Sequence, residues 1–369
     1  MKARALAAAL AAAALAVQPR AAAEPAPSTG GYQPTDELER GLWYQMDEAE
    51  RELKTSKFLV TDPALNQYVR GVLCRTVGAD RCGAARLYIV RVPQFNASMA
   101  PNGVMIVNTG LLLRMRDEAQ LAAVLGHEFT HFENRHSLRL FKDIRKKTDA
   151  LSWLSFIPIP YVGMVSQIAL IGSVFSFSRE MEREADAGSI DELARGGYDP
   201  RAASTIWSQL GAEMDATAAE RQHKSRKDKG GGLFATHPRT TERMATLAQL
   251  AAARAGTDPG VTRAAEYRAA IGPWWARLID DQVSLNDLGG TEYLLATLAG
   301  PDPGGWTGPL LYARGELYRA RGKGDDFVRA AEFYRQALAA GGAPAETRRG
   351  LGLALLRSGD RAGGQAALR

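Results

Sequence analysis

Three of the five histidines in this 369-residue chain lie within ten consecutive residues, in the stretch LGHEFTHFENRH. The stretch has no proline and predicts a helix, on which His127 and His131 lie on one face about one turn apart. Two imidazoles placed in this way can bind one Zn²⁺, and Glu128, about 100° round the helix from His127, can act on a water molecule beside the metal. His136 lies about 180° round the same helix from His127, so we expect it to pack against the site or to support a ligand rather than to bind the metal.

The pattern H-E-x-x-H is typical of zinc peptidases, but it is only moderately specific, because a catalytic zinc site also needs a third protein ligand. A polar helix face that happens to be rich in histidine is the alternative. The segment SREMEREADAGSIDELARGGYDP offers Glu182 and Asp186, which are four residues apart and therefore share one face of a second helix. Spacing alone leaves Glu180 and Glu184 as alternatives to Glu182, and the segment by itself also fits a solvated charged helix.

The two segments together resemble the family of CAAX-prenyl proteases and HtpX-type quality-control proteases, especially its soluble periplasmic BepA-like relatives that carry a tetratricopeptide tail. The resemblance covers about residues 35–250. It implies one Zn²⁺ per chain, a catalytic base, and a second carboxylate that assists catalysis or orients a ligand. The residues implied are the metal ligands His127, His131 and Glu182, the base Glu128, and the assisting carboxylate Asp186.

The segment NASMAPNGVMIVNTGLL is similar to the edge hairpin of this family, on which an extended substrate adds as a further strand. The resemblance implies substrate contacts at Asn96, Ala97, Ser98, Met99 and Ala100. The family usually has NAF where this chain has NAS, and PGG where it has Pro101-Asn102-Gly103. These departures concern the side-chain preference and leave the hairpin itself intact.

The segment FATHPRTTER carries His237 and Arg243 after a charged run that ends in three glycines. The resemblance implies that this element lies near the active site, that His237 can occupy the fourth zinc position as an inhibitory ligand, and that Arg243 contacts substrate. Two alternatives for His237 remain open: a role in binding substrate, and a position at the start of a helix with no metal contact.

The surrounding pattern predicts an α+β fold, a mainly helical zincin-type metallopeptidase domain with a small β-sheet and an edge hairpin. Residues 35–72 read as helical with an interruption at Asp62-Pro63, RLYIVRV as a strand, and VMIVNTGLL as the second arm of a hairpin turned by PNG. After these, one long helix begins at Asp117, with Gln120 completing a capping box.

Residues 1–23 predict a signal peptide, because two basic residues precede the apolar run Ala5 to Val17 and small residues follow it. A membrane anchor or an alanine-rich helix is the alternative, although the run is shorter than the ~20 residues of a span. Cleavage would remove Lys2, Arg4 and Arg20 and lower the formal net charge from +5 to 5 − 3 = +2. A nucleic-acid partner is therefore not implied, and we expect an exported, periplasmic protein with a flexible lead-in over residues 24–34.

Cys74 and Cys82 are eight residues apart, and in an exported protein this spacing predicts a local disulfide. Two unpaired thiols are the alternative. The chain has no C-x-x-C pair, so a cysteine zinc site is not expected.

Residues 151–177 contain no charged side chain. A single membrane crossing there would separate His131 from Glu182, and two crossings need about 40 apolar residues. We therefore expect either a buried helical element or an apolar surface that makes peripheral contact with membrane or with unfolded substrate.

The C-terminal residues 306–369 predict tetratricopeptide-like repeats. The segment ARGELYRARG is followed by the similar segment RRGLGLALLRSG, at an offset slightly longer than the usual period of about 34 residues. A plain helical bundle is the alternative. We expect a metallopeptidase domain over residues 35–255, a helical connector over 256–305, and a tail that binds clients or envelope assembly machinery.

These observations predict an exported zinc metalloendopeptidase that acts on misfolded or misassembled envelope proteins. A chaperone or assembly adaptor with silenced or secondary protease activity is the alternative, and it is less favoured because an adaptor has no need of Glu128. A membrane-embedded protease of prenylated peptides is disfavoured by the spans that it would need.

Overall fold

The computed structural model describes residues 32–147, 177–222, 241–255 and 259–369. The described part is mainly helical with one three-stranded sheet, which confirms the predicted combination of helices and a small sheet. The predicted signal peptide, most of the lead-in, the apolar insert except Phe177, and His237 lie outside the described residues. Within the described ranges, no helix has both the length and the apolar character that a membrane crossing requires.

The part that surrounds the candidate site contains three strands and eight helices within the described residues. In chain order these are α1 (Glu37–Lys54), α2 (Pro63–Val77), β1 (Arg86–Val90), β2 (Ala97–Met99), β3 (Val104–Asn108), α3 (Thr109–Arg114), α4 (Glu118–Glu133), α5 (His136–Lys147), α6 (Arg179–Arg195), α7 (Ala202–Glu220) and α8 (Thr241–Ala255).

The secondary-structure elements described in the C-terminal part are all helices. It contains α9 (Ala264–Ile271), α10 (Trp275–Val283), α11 (Leu288–Ala299), α12 (Gly308–Arg321), α13 (Asp326–Ala340), α14 (Thr347–Ser358) and α15 (Arg361–Leu368).

The interruption predicted at Asp62-Pro63 is confirmed. Asp62 caps α2 by accepting a hydrogen bond from the backbone N–H of Leu65 at 2.8 Å, and Pro63 occupies the first helical position, where its missing N–H has no cost. Asp36 caps α1 in the same way by accepting from the N–H of Glu39 at 2.8 Å.

The sheet has the order β1-β3-β2, so β2 is an edge strand of the described sheet. Strand β1 runs parallel to β3, and β2 runs antiparallel to it with Ala97 opposite Val107 and Met99 opposite Met105. The turn between β2 and β3 uses Gly103 at φ 90°, where a Cβ would lie 2.4 Å from the carbonyl oxygen of Ala84. The predicted hairpin and its PNG turn are therefore confirmed.

The predicted strands are longer than the observed ones. The segment VMIVNTGLL leaves the sheet after Asn108 and continues as helix α3. The change of direction is fixed by Val92, whose carbonyl oxygen accepts hydrogen bonds from the N–H of Gly110 at 2.8 Å and from the hydroxyl of Thr109 at 3.2 Å. Strand β1 likewise ends at Val90, and the N–H of Arg91 donates to the carbonyl of Phe58.

The single long helix predicted from Asp117 is wrong, since the structure divides it into α4 and α5 at Asn134 and Arg135. Arg135 adopts the left-handed conformation at φ 53°. The break turns α5 so that Leu138 and Phe141 join an apolar cluster with residues of α1 and α6. Burial of these side chains outweighs the local preference for a continuous helix.

The main hydrophobic core contains residues from Val60 to Leu317. It includes residues of α2, the sheet, α4, α6 and α7, and also Tyr267, Leu278 and Leu294 of the predicted connector. A second cluster in the tail surrounds Tyr334, which packs where Gly315 and Gly350 leave room for its ring. The tetratricopeptide assignment and the domain boundaries stay predictions.

Candidate metal centre

Helix α4 carries His127, Glu128 and His131 and is fixed at its start by two side chains. Asp117 accepts from the N–H of Gln120 at 2.8 Å, and the Gln120 side chain accepts from the N–H of Arg116 at 2.8 Å. The reciprocal capping interaction is therefore present, with the second bond made to the residue before the cap.

Glycine on each helix lets α4 and α6 approach closely. A Cβ on Gly188 of α6 would lie 2.5 Å from the Thr130 side chain, and one on Gly126 of α4 would lie 3.3 Å from the Cβ of Glu192. Only glycine fits these contacts without displacing a neighbouring side chain. The two helices therefore lie close together, which brings their polar residues into contact.

Helix α6 presents the carboxylates. Ser178 caps it by accepting from the N–H of Met181 at 3.2 Å, so Glu182 lies in the first turn and Asp186 one turn later. Both carboxylates are buried, with 3% and 4% of their surface exposed.

Three side chains converge on one point between α4 and α6. The Nε2 atoms of His127 and His131 are 3.1 Å apart, and the two Glu182 carboxylate oxygens each lie 3.7 Å from one of them. Ligands bound at about 2.1 Å to a tetrahedral ion are separated by about 3.4 Å, so the spacing fits a single metal ion. Two imidazoles and one carboxylate are also the donor set of catalytic zinc sites.

The second nitrogen of each imidazole is held by another side chain. His127 Nδ1 lies 3.2 Å from Asp186 Oδ1, and because the carboxylate is an acceptor, His127 donates and keeps its Nε2 lone pair directed at the centre. His131 Nδ1 lies 2.8 Å from His136 Nδ1. His136 Nε2 in turn lies 2.9 Å from Glu184 Oε2.

These contacts agree with the supporting role predicted for His136. The path of the chain that places His136 beside His131 differs from the predicted one. The break at Asn134 and Arg135 brings His136 back towards His131, whereas a continuous helix would have placed it on the other side. Burial lowers the pKa of His136, while Glu184 acts in the opposite direction. The Phe177 ring stacks on the His131 ring with centroids 4.0 Å apart.

Of the four acidic candidates on α6, the structure brings Glu182 and Asp186 to the imidazoles of α4. Glu180 is exposed, and Glu184 binds His136 rather than the centre. Spacing could not predict the role of Glu184, because that role depends on the break after α4.

Glu128 is buried and lines the same pocket as His127 and Asp186. The pocket has a volume of about 510 Å³ including its open mouth, and Asn96 and Ala97 also line it. A substrate or water molecule in the pocket would therefore contact Glu128 together with His127, one of the three converging side chains.

The predicted substrate segment lies along the edge strand β2. The carbonyl of Asn96 accepts from the N–H of Asn108 at 3.0 Å, and the N–H of Ala100 donates to the carbonyl of Val104 at 2.8 Å, so the segment is fixed on β3 at both ends. Ala97 lines the Glu128 pocket, and Met99 lines a second pocket with His131. Ser98 is half-buried between them.

His237 lies outside the described residues, and its role as a fourth, inhibitory ligand stays a prediction. Arg243 lies in helix α8. Cys74 and Cys82 form a disulfide with Cα atoms 5.0 Å apart.

A salt-bridge cluster beside this disulfide was not predicted from the sequence. Arg81 donates to both carboxylate oxygens of Glu133 at 2.9 Å and to both of Glu192 at 2.7 and 2.8 Å. Glu133 is the last residue of α4 and Glu192 lies on α6, so one guanidinium joins the two helices that carry the metal centre. The arrangement depends on contacts distant in sequence and has no local signal.

Comparison with known proteins matches residues 60–251 to peptidase family M48. The beta-barrel assembly-enhancing protease of Escherichia coli strain K12 is 27% identical over 222 residues, which are 57% of this chain and 42% of that protein. The mitochondrial metalloendopeptidase OMA1 of Schizosaccharomyces pombe is 31% identical over 180 residues, which are 48% of this chain and 50% of that protein. OMA1 of Arabidopsis thaliana is 34% identical over 162 residues, 44% of this chain and 30% of that protein.

This chain thus spans half or less of the length of these relatives. The family match covers residues 60–251, just over half of the 369 residues, and it includes every residue of the cluster between α4 and α6. The chain therefore belongs to peptidase family M48.

Proposed function

We propose that this protein is a zinc-dependent metalloendopeptidase. The observation that carries the proposal is the convergence of His127, His131 and Glu182 on one point, with Glu128 lining the adjoining pocket. The names of the relatives, which are a protease and metalloendopeptidases, support the same activity.

His127, His131 and Glu182 would hold the ion through two neutral imidazoles and a carboxylate. When bound, zinc supplies a Lewis acid that polarises a carbonyl group and lowers the pKa of water. Asp186 fixes the orientation and tautomer of His127 by accepting its Nδ1–H.

Glu128 would act as the general base. Its carboxylate accepts a proton from the attacking water and then donates that proton to the leaving amine of the cleaved peptide bond. The backbone of β2 would hold an extended substrate by adding it to the edge of the sheet, which keeps the scissile bond beside the pocket.

The proposed substrates are misfolded or misassembled proteins of the bacterial envelope. The predicted signal peptide supports export to the periplasm, and the name of the Escherichia coli relative supports a connection with β-barrel assembly. The tail helices α12 to α15 would form the tetratricopeptide-like part that binds clients or assembly machinery.

The activity can be tested with Glu128→Gln. Since the carboxylate is proposed to act on water and is not among the converging ligands, this variant should keep about one metal ion per chain and lose at least ~100-fold of the cleavage rate on an unfolded substrate such as casein. The matched control is Glu180→Gln, the same change on an exposed residue of α6. Metal analysis and a casein assay on both variants decide the matter, and retained cleavage by Glu128→Gln would contradict the proposed base.

A further inference from the structure

The pocket beside Glu128 is lined by both polar and apolar side chains. The imidazole of His127 and the carboxylates of Glu128 and Asp186, which belong to α4 and α6, line it. Helices α7 and α8 contribute only apolar side chains, Ala203, Ile206, Trp207 and Leu247, which together are called the apolar wall.

The side chains of the apolar wall are fixed by packing. Ala203, Ile206 and Leu247 have 3%, 3% and 1% of their surface exposed, so they are held by the core behind them. Trp207 is half-buried and therefore offers part of its ring to the pocket. Ala203 is the smallest of the four side chains, so a larger side chain at this position would occupy part of the pocket.

The lining of the pocket discriminates between kinds of side chain. An acidic side chain would lie beside the carboxylates of Glu128 and Asp186, which would repel it. A basic side chain would lose its hydration against an apolar wall, and it would pair with the carboxylate needed as the base. No lysine or arginine lines the pocket among the described residues. A large apolar side chain loses unfavourable contact with water there and meets no opposing charge.

The position of the pocket determines which substrate side chain it binds. His127 and Glu128 themselves line it, so the side chain that enters it belongs to a residue next to the reacting bond. Ala97 of the edge strand also lines it, and a chain paired with β2 directs alternate side chains to one face.

We propose that this pocket selects peptide bonds flanked by a large apolar residue such as Leu, Met or Phe, and that Ala203, Ile206, Trp207 and Leu247 determine this specificity. The inference rests on the proposed endopeptidase activity. Large apolar side chains are buried in folded proteins and become accessible in unfolded ones. The pocket therefore directs cleavage to unfolded segments without recognising a particular sequence.

The experiment uses the zinc-loaded full chain and unstructured peptides that differ at one position, which carries Phe, Leu, Ala, Asp or Lys. Mass spectrometry identifies the cleaved bonds, and kcat/KM is measured for each peptide. The parent should cleave beside Phe or Leu at least ~10-fold faster than beside Ala, and slowest beside Asp.

Two variants test the wall and one serves as control. Ala203→Leu should shorten the pocket and reduce the ratio of Phe to Ala cleavage about 10-fold, and Trp207→Ala should reduce the same ratio by removing part of the wall. Ser208→Leu, on an exposed position of the same helix, should leave the ratio as in the parent. Because Trp207 is only half-buried, its variant keeps the test decisive if Ala203→Leu fails to fold.

Peptide binding to the Glu128→Gln protein, followed by fluorescence anisotropy, separates this inference from the proposed function. Cleavage without an apolar preference, or a ratio unchanged in the Ala203 and Trp207 variants, would overturn the inference and leave the endopeptidase activity standing. Absence of all cleavage by the zinc-loaded parent would count against the activity. In that case, tighter binding of the Phe peptide that is lost in the same two variants would still support the pocket, and equal binding of all peptides would refute it.

Discussion

The proton positions on two imidazoles decide whether this cluster can bind a metal. The Asp186 carboxylate can only accept when ionised, so it fixes the Nδ1–H of His127 and leaves the Nε2 lone pair directed at Glu182 and His131. The contact with His136 fixes the Nδ1–H of His131 in the same way when His131 donates from Nδ1 to His136 Nδ1. His136 then donates from its Nε2 to Glu184. Both imidazoles are then neutral ligands, as a metal site requires.

We expect Asp186→Ala to weaken zinc binding about 10- to 100-fold, because the variant loses the group that orients His127. Zinc affinity is measured by competition with a chelator of known affinity. Asp191→Ala is the control on the same helix, since Asp191 is exposed and pairs with Arg254 on the surface. Equal affinities in the parent and Asp186→Ala would show that Asp186 does not support the ligand.

At the scale of the elements, the metal centre depends on two helices that must keep their relative position. Glycines at 126 and 188 allow the close approach of α4 and α6, and Arg81 joins them at Glu133 and Glu192. Arg81 is next to Cys82, so the disulfide fixes the backbone from which the guanidinium extends. The loop that carries Arg81 therefore supports the metal centre although it contributes no ligand.

We expect Arg81→Met to weaken zinc binding and to lower the free energy of unfolding by about 2 kcal/mol, because it leaves two carboxylates close together and poorly hydrated. The control is Arg91→Met, which breaks a more exposed pair with Asp281 and should cost less than about 1 kcal/mol. Urea unfolding and chelator competition provide the two measurements.

A triple variant distinguishes charge from packing. Adding Glu133→Gln and Glu192→Gln to Arg81→Met removes the repulsion between the carboxylates, so part of the lost zinc affinity should return. If the triple variant binds zinc no better than Arg81→Met, the helices are positioned by packing alone.

Helix α1 is joined to the sheet by a buried carboxylate. Glu50 accepts from Arg86 at 2.7 and 2.9 Å and from the Tyr88 hydroxyl at 2.6 Å. Burial raises the pKa of Glu50, but the hydrogen bonds from Arg86, Tyr88 and Lys54 outweigh it and lower the pKa to about 2.

The folded state thus favours the ionised form of Glu50 relative to the unfolded chain, in which its pKa is about 4.3. Its contribution to stability is complete above about pH 5 and is lost as the pH falls towards 2. Since one pKa unit corresponds to about 1.4 kcal/mol and Arg86 is partly exposed, we expect Glu50→Gln to cost about 2 kcal/mol at pH 7. Urea unfolding of parent and variant at pH 7 and pH 3 should show the difference shrinking at the lower pH, and a difference independent of pH would contradict the assignment.

At the scale of the whole molecule, the C-terminal helices share the core of the part that holds the metal centre. Leu310 and Leu317 of α12 belong to the same buried cluster as residues of α2, α4 and α6, with 1% and 3% of their surface exposed. The first tail helix is therefore part of the structure that supports the site, although it lies far from the site in sequence.

We expect Leu310→Ala to lower the free energy of unfolding by about 2–5 kcal/mol and to lower the urea concentration at which zinc is released. Leu353→Ala, at a position 40% exposed in the tail, is the control and should change both by little. Zinc release followed with a metal-sensitive dye reports on the metal centre itself. An unchanged midpoint of release in Leu310→Ala would mean that the tail unfolds independently of that centre.

The sequence by itself determined the features that depend on neighbours along the chain. The helix interruption at Asp62-Pro63, the helix cap at Asp117, the hairpin turn at Gly103 and the i, i+4 pair His127 and His131 all follow from local geometry, and the structure contains each of them. The spacing of Cys74 and Cys82 was informative for the same reason, since the connection between them is short. Glu182 needed the resemblance to a known family, because spacing alone left other carboxylates on the same helix.

Only the tertiary structure decided the features that depend on contacts between distant segments. Val92 ends the sheet strand at Asn108, and burial of Leu138 and Phe141 breaks the helix at Arg135, which brings His136 to His131. The salt bridges of Arg81 likewise join residues that are 52 and 111 positions apart, and the apolar wall combines residues of the separate helices α7 and α8. In each case burying or pairing these groups contributes more free energy than the local conformational preference of the segment. Because the groups meet only in the folded chain, the sequence pattern does not predict the outcome.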